Sequence, residues 1–172
     1  MKTNTLTDGD LELRPLEVDD AAEWLAGEND EQIRWFEAPR PALLSDVEAF
    51  ILRCRESWQT MGDHRYWAIR RVGAPEMVGG VNLRKLDNDE VNVSYVVFPR
   101  FRHQGIAFRA SALVVNYAVV KMGAQAVVFK MLPENVHSRS VTIRLGAKFS
   151  GEEPSNAGAT FQVLKLDLRR GM

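Results

Sequence analysis

The chain has 172 residues, of which 45% are hydrophobic and 26% charged, with 23 acidic and 22 basic side chains. This length and composition predict a single globular domain over residues 1–172 and exclude a wholly disordered chain. The longest largely apolar run, Ala110–Val120, is too short to cross a bilayer, and residues 1–10 contain no apolar stretch of signal-peptide length. We therefore expect a cytoplasmic protein.

Charge is divided unevenly along the chain. Residues 1–90 carry 19 acidic and 11 basic side chains, whereas residues 91–172 carry 4 acidic and 11 basic ones. A ligand with phosphates facing the C-terminal half and an amine facing the other half would suit this division. Attraction between the two halves within the fold explains it equally well. Nucleic acid fits less well, because the isoelectric point is about 6.3 and the sequence has no Lys/Arg cluster.

Cysteine and histidine are scarce. The single cysteine, Cys54, excludes an internal disulfide, and one thiol with three histidines is too few for a structural zinc site. No metal is expected. Because Cys54 lies in an amphipathic stretch, a buried, inert thiol is favoured over a nucleophile.

Hydrophobic periodicity and turn residues predict four elements in the N-terminal part. These are a strand at Leu11–Leu16, a helix from Asp19 to Gly27, a loop with a short helical turn at Gln32–Leu43, and a helix at about 45–60. Ser45 and Glu48 have the spacing of a capping box at the start of the last helix.

The remaining elements complete an order that is typical of a mixed α and β fold and is not strictly alternating. They are an antiparallel meander of Tyr66–Val72, Met77–Leu86 and Glu90–Phe98, a central helix at Gly105–Met122, a strand at Ala126–Leu132, a helix at Asn135–Leu145 and a strand at Phe161–Leu168.

The loop between the third meander strand and the central helix is the most informative segment. It is basic, with Arg100 and Arg102, and Gly105 allows a tight turn into the helix. Free amides and the dipole at a helix N-terminus bind anions, which predicts a phosphate site. The loop is neither a P-loop nor a dinucleotide fingerprint. A plain strand-to-helix turn with solvated arginines fits the same residues.

Several motifs are shared with one family. Arg102-x-x-Gly105-x-Ala107 follows Val97-x-Pro99, and this loop resembles the Arg/Gln-x-x-Gly-x-Gly/Ala loop of the GNAT superfamily of acetyltransferases. Four further segments, in order over residues 10–168, resemble its RimJ/RimL-like branch. They are Leu13-Arg14-Pro15-Leu16 with Asp20-Ala21, Val78-Gly79-Gly80-Val81-x-Leu83, Glu134-Asn135-x-x-Ser138-Arg139, and Leu145-Gly146-Ala147-Lys148.

The resemblance implies a mixed α+β fold with a mostly antiparallel central sheet of about seven strands. The sheet would be splayed between the fourth and fifth strands, with helices on both faces. It also implies acetyl-CoA as cosubstrate, without a metal or a covalent enzyme intermediate. The residues implied to bind this cosubstrate are Val96, Val97, Arg102, His103, Gln104, Gly105, Ile106, Ala107, Phe108, Asn135 and Arg139.

The implied roles differ along this set. Backbone amides from His103 to Phe108 would grip the pyrophosphate, with Arg102 assisting. Main-chain groups near Val97 would bind pantetheine and polarise the thioester carbonyl. Ser138 would be the general acid for the departing thiolate. Asn135 would contact pantetheine, although it also suits the N-cap of its own helix.

Two positions depart from the family pattern. His103 stands where relatives often have glycine. Asn92-Val93-Ser94-Tyr95 stands where many have Glu-x-Gly-Tyr, so the common carboxylate base is absent. Glu90, one pleat earlier on the same face, and Glu37 are the alternative candidates.

The acceptor is expected to be an amine. An α-amine with a pKa near 7.7 is roughly one-sixth neutral at pH 7, whereas a lysine amine near 10.4 is neutral in only about one molecule in 2,500. An α-amine therefore needs only a weak base. The resemblance likewise points to protein or peptide N-termini or small amines, and is compatible with a homodimer. Trp35, Phe36, Glu37 and Trp67 are candidates for the acceptor site, or else core and lid residues.

Two rival functions belong to other classes. The missing glutamate is compatible with a catalytically silent acyl-CoA-binding sensor or interaction domain. A nucleotide- or nucleic-acid-binding module that uses the basic half is the weaker rival.

Overall fold

The computed structural model describes residues 4–155 and 157–169. Within them, eight strands form a sheet in the order β1-β2-β3-β4-β5-β6-β8-β7. The strands are β1 Leu6–Thr7, β2 Leu11–Pro15, β3 His64–Arg71, β4 Met77–Lys85, β5 Glu90–Val97, β6 Ala126–Met131, β7 Lys148–Pro154 and β8 Thr160–Asp167. The α-helices are α1 Ala21–Gly27, α2 Asp30–Trp35, α3 Leu44–Gln59, α4 Ile106–Met122 and α5 Val136–Arg144.

Helices cover both faces of the sheet because neighbouring side chains of a strand point in opposite directions. On β3, Trp67 packs in a cluster with Ala110 of α4, whereas the next residue, Ala68, packs with Ala21 of α1 and Ile51 of α3. Helix α4 therefore lies on one face, and α1 and α3 lie on the other. This arrangement confirms the predicted mixed α and β fold.

The sheet opens between β5 and β6. These two strands form the parallel pair, whereas the other paired strands in the described ranges are antiparallel. Their register joins only Glu90–Asn92 to Ala126–Val128, although β5 continues to Val97 and β6 to Met131. Beyond Asn92, the edge of β5 that faces β6 has no strand partner among the described residues. The predicted splay is therefore confirmed.

Glycine in the left-handed region bounds the central helix α4 at both ends. Gly105 precedes the first turn with φ 74°, and Gly123 follows the last turn with φ 65°. Because other residues adopt this conformation at a cost, these glycines fix where α4 begins and ends. The sequence predicted both boundaries to within one residue.

Three local features differ from the sequence expectation. Strand β7 was not predicted, and together with the short β1 it brings the sheet to eight strands rather than about seven. The short turn of helix predicted within Gln32–Leu43 is present as α2, which begins two residues before that segment. Helix α3 begins with the Asp46 carboxylate accepting from the Leu43 amide at 2.8 Å, so Ser45 and Glu48 do not form the predicted capping box.

None of the helices in the described part of the chain is long and apolar enough to cross a membrane.

Candidate active site

A cavity of about 520 Å³ lies where β5 and β6 diverge. It is bounded by β5, by α2, by the loop that leads into α4 with the first turn of α4, and by α5. The lining residues are Glu31, Gln32, Trp35, Phe36, Tyr95, Val96, Val97, Phe101, Arg102, His103, Gly105, Ile106, Ala107, Phe108, Asn135, His137, Ser138, Ser140, Val141 and Arg144. A smaller cavity of about 40 Å³ shares Phe36, Tyr95 and Ser138 with it.

The loop before α4 presents free amides to this cavity. His103 and Gly105 both have left-handed backbones, with φ of 61° and 74°. No side chain in the described part of the chain caps the N-terminus of α4. Within residues 4–155 and 157–169, the amides of His103–Phe108 donate no hydrogen bond. Since α4 is 17 residues long, its dipole adds partial positive charge at this end. The loop therefore has the geometry of an anion site.

Arg102 connects this loop to two other elements. Its Nε donates to the main-chain oxygen of Val97 at 3.1 Å, and its Nη1 forms an ion pair with Glu31 on α2. Arg100 points elsewhere: it pairs with Glu76 and its guanidinium lies 4.6 Å from the ring centre of Phe101. Of the two loop arginines, Arg102 alone lines the cavity.

Helix α5 brings Asn135 and Ser138 to the opposite wall. The Asn135 side-chain oxygen accepts from the Ser138 amide at 3.1 Å, so Asn135 is the N-cap of α5. The Ser138 main-chain oxygen accepts from the Tyr95 hydroxyl at 3.2 Å, which ties α5 to β5. Burial raises the pKa of Tyr95 to about 12, so this phenol is neutral at physiological pH. The Asn135 amide nitrogen and the Ser138 hydroxyl have no hydrogen-bond partner in the described residues.

Basic and aromatic groups continue the wall along α5. The rings of His103 and His137 meet edge to face with centres 5.6 Å apart. The Arg144 guanidinium lies 4.2 Å from the ring centre of Phe108. The first contact joins α5 to the loop before α4 and the second joins it to the first turn of α4, so these segments form one continuous surface.

Most of the predicted cosubstrate residues lie together at this cavity. The residues brought together are Val96, Val97, Arg102, His103, Gly105, Ile106, Ala107, Phe108 and Asn135, with Ser138 and Trp35 from the predicted catalytic and acceptor sets. The side chains of Gln104 and Arg139 do not line the cavity. Gln104 accepts from Arg71 of β3, and Arg139, on α5, is exposed.

Three predicted catalytic or acceptor residues lie elsewhere. Trp67 is 0% exposed, and its Nε1 donates to the Asn4 oxygen at 2.8 Å, because its strand position points it at the core beneath α4. Glu90, at the far end of β5, forms an ion pair with Lys165 of β8. Glu37 accepts from the Ser155 hydroxyl at 2.8 Å and joins the segment after α2 to the β7–β8 hairpin.

Eight residues that line the cavity were not among the predicted site residues: Glu31, Gln32, Tyr95, Phe101, His137, Ser140, Val141 and Arg144. Two of them, Glu31 and Gln32 on α2, lie just before the predicted acceptor residues Trp35 and Phe36. Glu31 lies four residues before Trp35, a spacing that places both on one side of a helix. That spacing was the available signal. The hydrogen bond from Arg102 lowers the pKa of Glu31 below its ordinary value, despite an opposing contribution from burial.

The described residues contain no group of three or more His, Cys, Asp or Glu side chains placed to hold a metal ion.

Residues 10–148 match the acetyltransferase (GNAT) domain family. The chain therefore belongs to the GNAT acetyltransferases, which are enzymes that use acetyl-CoA. No curated protein sequence matches the chain significantly.

Solved structures with the same fold include members of this family. RimJ of Mycobacterium smegmatis, in complex with CoA-disulfide, superposes with a TM-score of 0.79 at 19% identity, covering 96% of this chain and 86% of that one. RimL, a ribosomal L7/L12 alpha-N-protein acetyltransferase in complex with coenzyme A, gives 0.80 at 18% identity, covering 95% and 98%. A GNAT-family acetyltransferase from Bacillus anthracis gives 0.80 at 15% identity, covering 95% and 98%. At these identities the likeness establishes the fold.

The cavity fits coenzyme A on its own chemistry. Free amides, Arg102 and Arg144 suit phosphate groups. The unpaired edge of β5 suits a ligand with amide groups that binds as an added strand.

Proposed function

We propose that this chain transfers the acetyl group of acetyl-CoA to a primary amine, by direct attack of the amine in a ternary complex. The observation that carries the proposal is the meeting of two features in one cavity. The free amides of His103–Phe108 lie at one end, and the unpaired edge of β5 at Val96 and Val97 lies beside them.

Each wall has a role in this reaction. The loop amides and Arg102 bind the pyrophosphate. The main chain at Val96 and Val97 binds pantetheine and polarises the thioester carbonyl, and the Asn135 amide nitrogen donates to the same arm. The amine nitrogen forms a bond with the carbonyl carbon, the carbon–sulfur bond breaks, and Ser138 protonates the departing thiolate and regains its proton from the attacking nitrogen.

A protein or peptide N-terminus, or a small amine, is the proposed acceptor. The pKa of an α-amine leaves a useful neutral fraction at pH 7. Two of the structural neighbours carry the names RimJ and RimL, and the latter is described as an alpha-N-protein acetyltransferase. Trp35 and Phe36 of the α2 segment give the acceptor side of the cavity an aromatic wall.

A second candidate is an acyl-CoA-binding domain without catalysis. Two observations favour it: β5 itself carries Asn92 and Ser94 and no carboxylate where it leaves β6, and Glu90, at the start of β5, is paired with Lys165. Such a domain would bind coenzyme A and release no thiol.

Thiol release from acetyl-CoA tests the proposal. The purified chain is assayed with peptide α-amines, polyamines, amino acids and aminoglycosides, and coenzyme A binding is measured alongside by calorimetry. Turnover with one class of amine is the expected result. Tight binding without turnover on any amine supports the silent domain, and no binding overturns both readings.

A single domain over residues 1–172, a cytoplasmic location and a homodimer remain predictions from the sequence and the resemblance.

A further inference from the structure

The carboxylate of Glu31 lies close to the end of β5. One guanidinium, that of Arg102, joins it to the main-chain oxygen of Val97, with Nη1 on Glu31 and Nε on Val97 at 3.1 Å. Among the described residues that line the large cavity, Glu31 is the only carboxylate. An anionic group therefore stands beside the strand end where the thioester is proposed to lie, within an otherwise basic wall.

The next residue adds a second polar group to the same wall. Gln32 is 5% exposed, lines the cavity, and its side-chain oxygen has no hydrogen-bond partner in the described part of the chain. A buried acceptor without a donor is costly. A bound N–H group would remove that cost, and a carboxylate with a neighbouring amide oxygen is a pair suited to an ammonium ligand.

The ion pair between Arg102 and Glu31 is placed to exchange partners. Its side chains are 29% and 41% exposed, and ion pairs with that exposure are weak. Arg102 directly precedes the free amides of His103–Phe108. Phosphate groups held by those amides would compete with Glu31 for the same guanidinium.

We propose that Glu31 binds the ammonium group of the acceptor and takes its proton, and that Arg102 keeps Glu31 occupied until the phosphates of acetyl-CoA draw the arginine away. This inference rests on the proposed function. The ammonium gives one proton to Glu31 and becomes a neutral amine. Its nitrogen forms the bond to the carbonyl carbon as the carbon–sulfur bond breaks, and a second nitrogen proton ends on the thiolate through Ser138. Glu31 then returns its proton to water.

If Arg102 exchanges Glu31 for the phosphates, removal of Glu31 changes the affinity for coenzyme A. This affinity is measured without turnover. In Glu31→Gln, Arg102 has lost its internal ionic partner, so coenzyme A binds about twofold to fivefold more tightly by calorimetry. The matched control is Asp30→Asn, which removes the same charge one residue away, from an exposed side chain outside the cavity. Asp30→Asn leaves the dissociation constant unchanged.

The base role predicts the opposite effect on turnover. With the amine that gives the highest turnover in the panel above, Glu31→Gln lowers kcat/KM about 100-fold. Glu31→Asp, which keeps the carboxylate, recovers part of the loss, and Asp30→Asn matches the wild type. Thermal melting of each variant verifies that it is folded, and if Glu31→Gln does not fold, Glu31→Ser carries the same two measurements.

The two proposals fail in different ways. If the wild type neither binds coenzyme A nor acetylates any amine, the proposed function is wrong. If the wild type does both, and Glu31→Gln equals Asp30→Asn in coenzyme A affinity and in kcat/KM, the role of Glu31 is wrong while the acetyltransferase remains.

Discussion

The absence of a Cβ atom at Gly105 matters both for the backbone conformation of the loop and for its chemistry. The φ of Gly105 is 74°, and a Cβ placed there would meet nothing within 4 Å. A side chain at this position costs about 1–2 kcal/mol in backbone strain, yet it would project into open space at the mouth of the anion site. Charge, more than steric clash, then decides what a substitution does.

Gly105→Glu is expected to abolish coenzyme A binding while the fold persists, because a carboxylate faces the free amides and repels phosphate. Calorimetry should show affinity reduced at least 100-fold.

Gly73→Glu is the matched control, since Gly73 has φ 78°, also has open space for a Cβ, and lies outside the cavity. It carries the same strain and charge, so it should melt like Gly105→Glu but bind coenzyme A like the wild type. Micromolar binding by Gly105→Glu would remove the phosphate site from this loop.

Single residues also mark where sequence reasoning reached its limit. Arg102 and Gly105 were predicted to lie at the site, and both line the cavity. Motif spacing and the backbone conformation of a tight turn depend only on neighbours in the chain, so the sequence contains both signals. Trp67 and Glu90 were proposed from residue type, and residue type does not say which way a strand position faces or which ion pair forms. Glu90 meets Lys165, and that partner is 75 residues away in sequence.

For the element α5, the question is whether Asn135 serves only as a helix cap. Asn135→Ala removes the cap and should lower the free energy of unfolding by ~1 kcal/mol in urea denaturation. Asn135→Ser keeps a capping oxygen and loses the amide nitrogen. We expect near wild-type stability for the serine variant, with coenzyme A binding about fivefold weaker in both. Unchanged binding by Asn135→Ser would leave Asn135 a cap alone.

The pairing of β4 with β5 depends on Gly79. A Cβ at this position would lie 2.1 Å from the Val96 main-chain oxygen and 3.0 Å from the Val97 Cα, so the two strands would have to separate. Gly79→Ala should lower the free energy of unfolding by ~2 kcal/mol and weaken coenzyme A binding, because Val96 and Val97 line the cavity. Chemical denaturation and calorimetry measure the two effects.

Gly9→Ala provides the comparison, because its added Cβ meets nothing within 4 Å and it lies outside the cavity. Gly9→Ala should lose only the stability that a strained positive φ costs, and it should bind coenzyme A like the wild type. The strand argument would be contradicted if both alanine variants behaved alike.

Strand β7 shows why one element escaped prediction. It lies at the edge of the sheet, contains Gly151 and Pro154, and most of its residues are exposed. Edge strands need no apolar alternation, and glycine and proline suit their bulges and ends. The irregular register between Phe149 and Gly151 is such a distortion. This segment is a strand because it is hydrogen-bonded to β8, and the strand propensity of its own residues would not have predicted it.

At the scale of the whole molecule, the uneven charge has a structural explanation. Ion pairs join the acidic first half to the basic second half at several places. They are Asp8–Arg109, Asp10–Arg109, Glu31–Arg102, Glu76–Arg100 and Glu90–Lys165. This supports attraction between the halves as one source of the division. The excess of basic groups around the cavity leaves the phosphate interpretation in place as well.

Folding as a whole is linked to the ionisation of Cys54. Burial raises the pKa of this thiol to about 11 from its ordinary value of 9.0. The folded chain keeps the proton while the unfolded chain loses it, so stability is complete below pH 9 and falls as pH rises towards 11. The slope is at most ~1.4 kcal/mol per pH unit.

Urea unfolding at pH 8 and pH 10 measures this loss. Cys54→Ala should lose less stability between the two pH values than the wild type, because the ionisations of all other groups are common to both proteins. Equal losses would show that Cys54 does not contribute.

The sequence by itself determined the class of fold, the limits of α4, the three-stranded meander and the position of the basic loop before α4. Each of these depends on signals between near neighbours: periodicity, helix ends and a six-residue motif. Only the tertiary structure decided that Trp67 is core, that Glu90 is paired, and that Glu31 stands at the end of β5. Those outcomes depend on which distant side chains packing brings within hydrogen-bond reach, and Arg102 lies 71 residues from Glu31 in sequence.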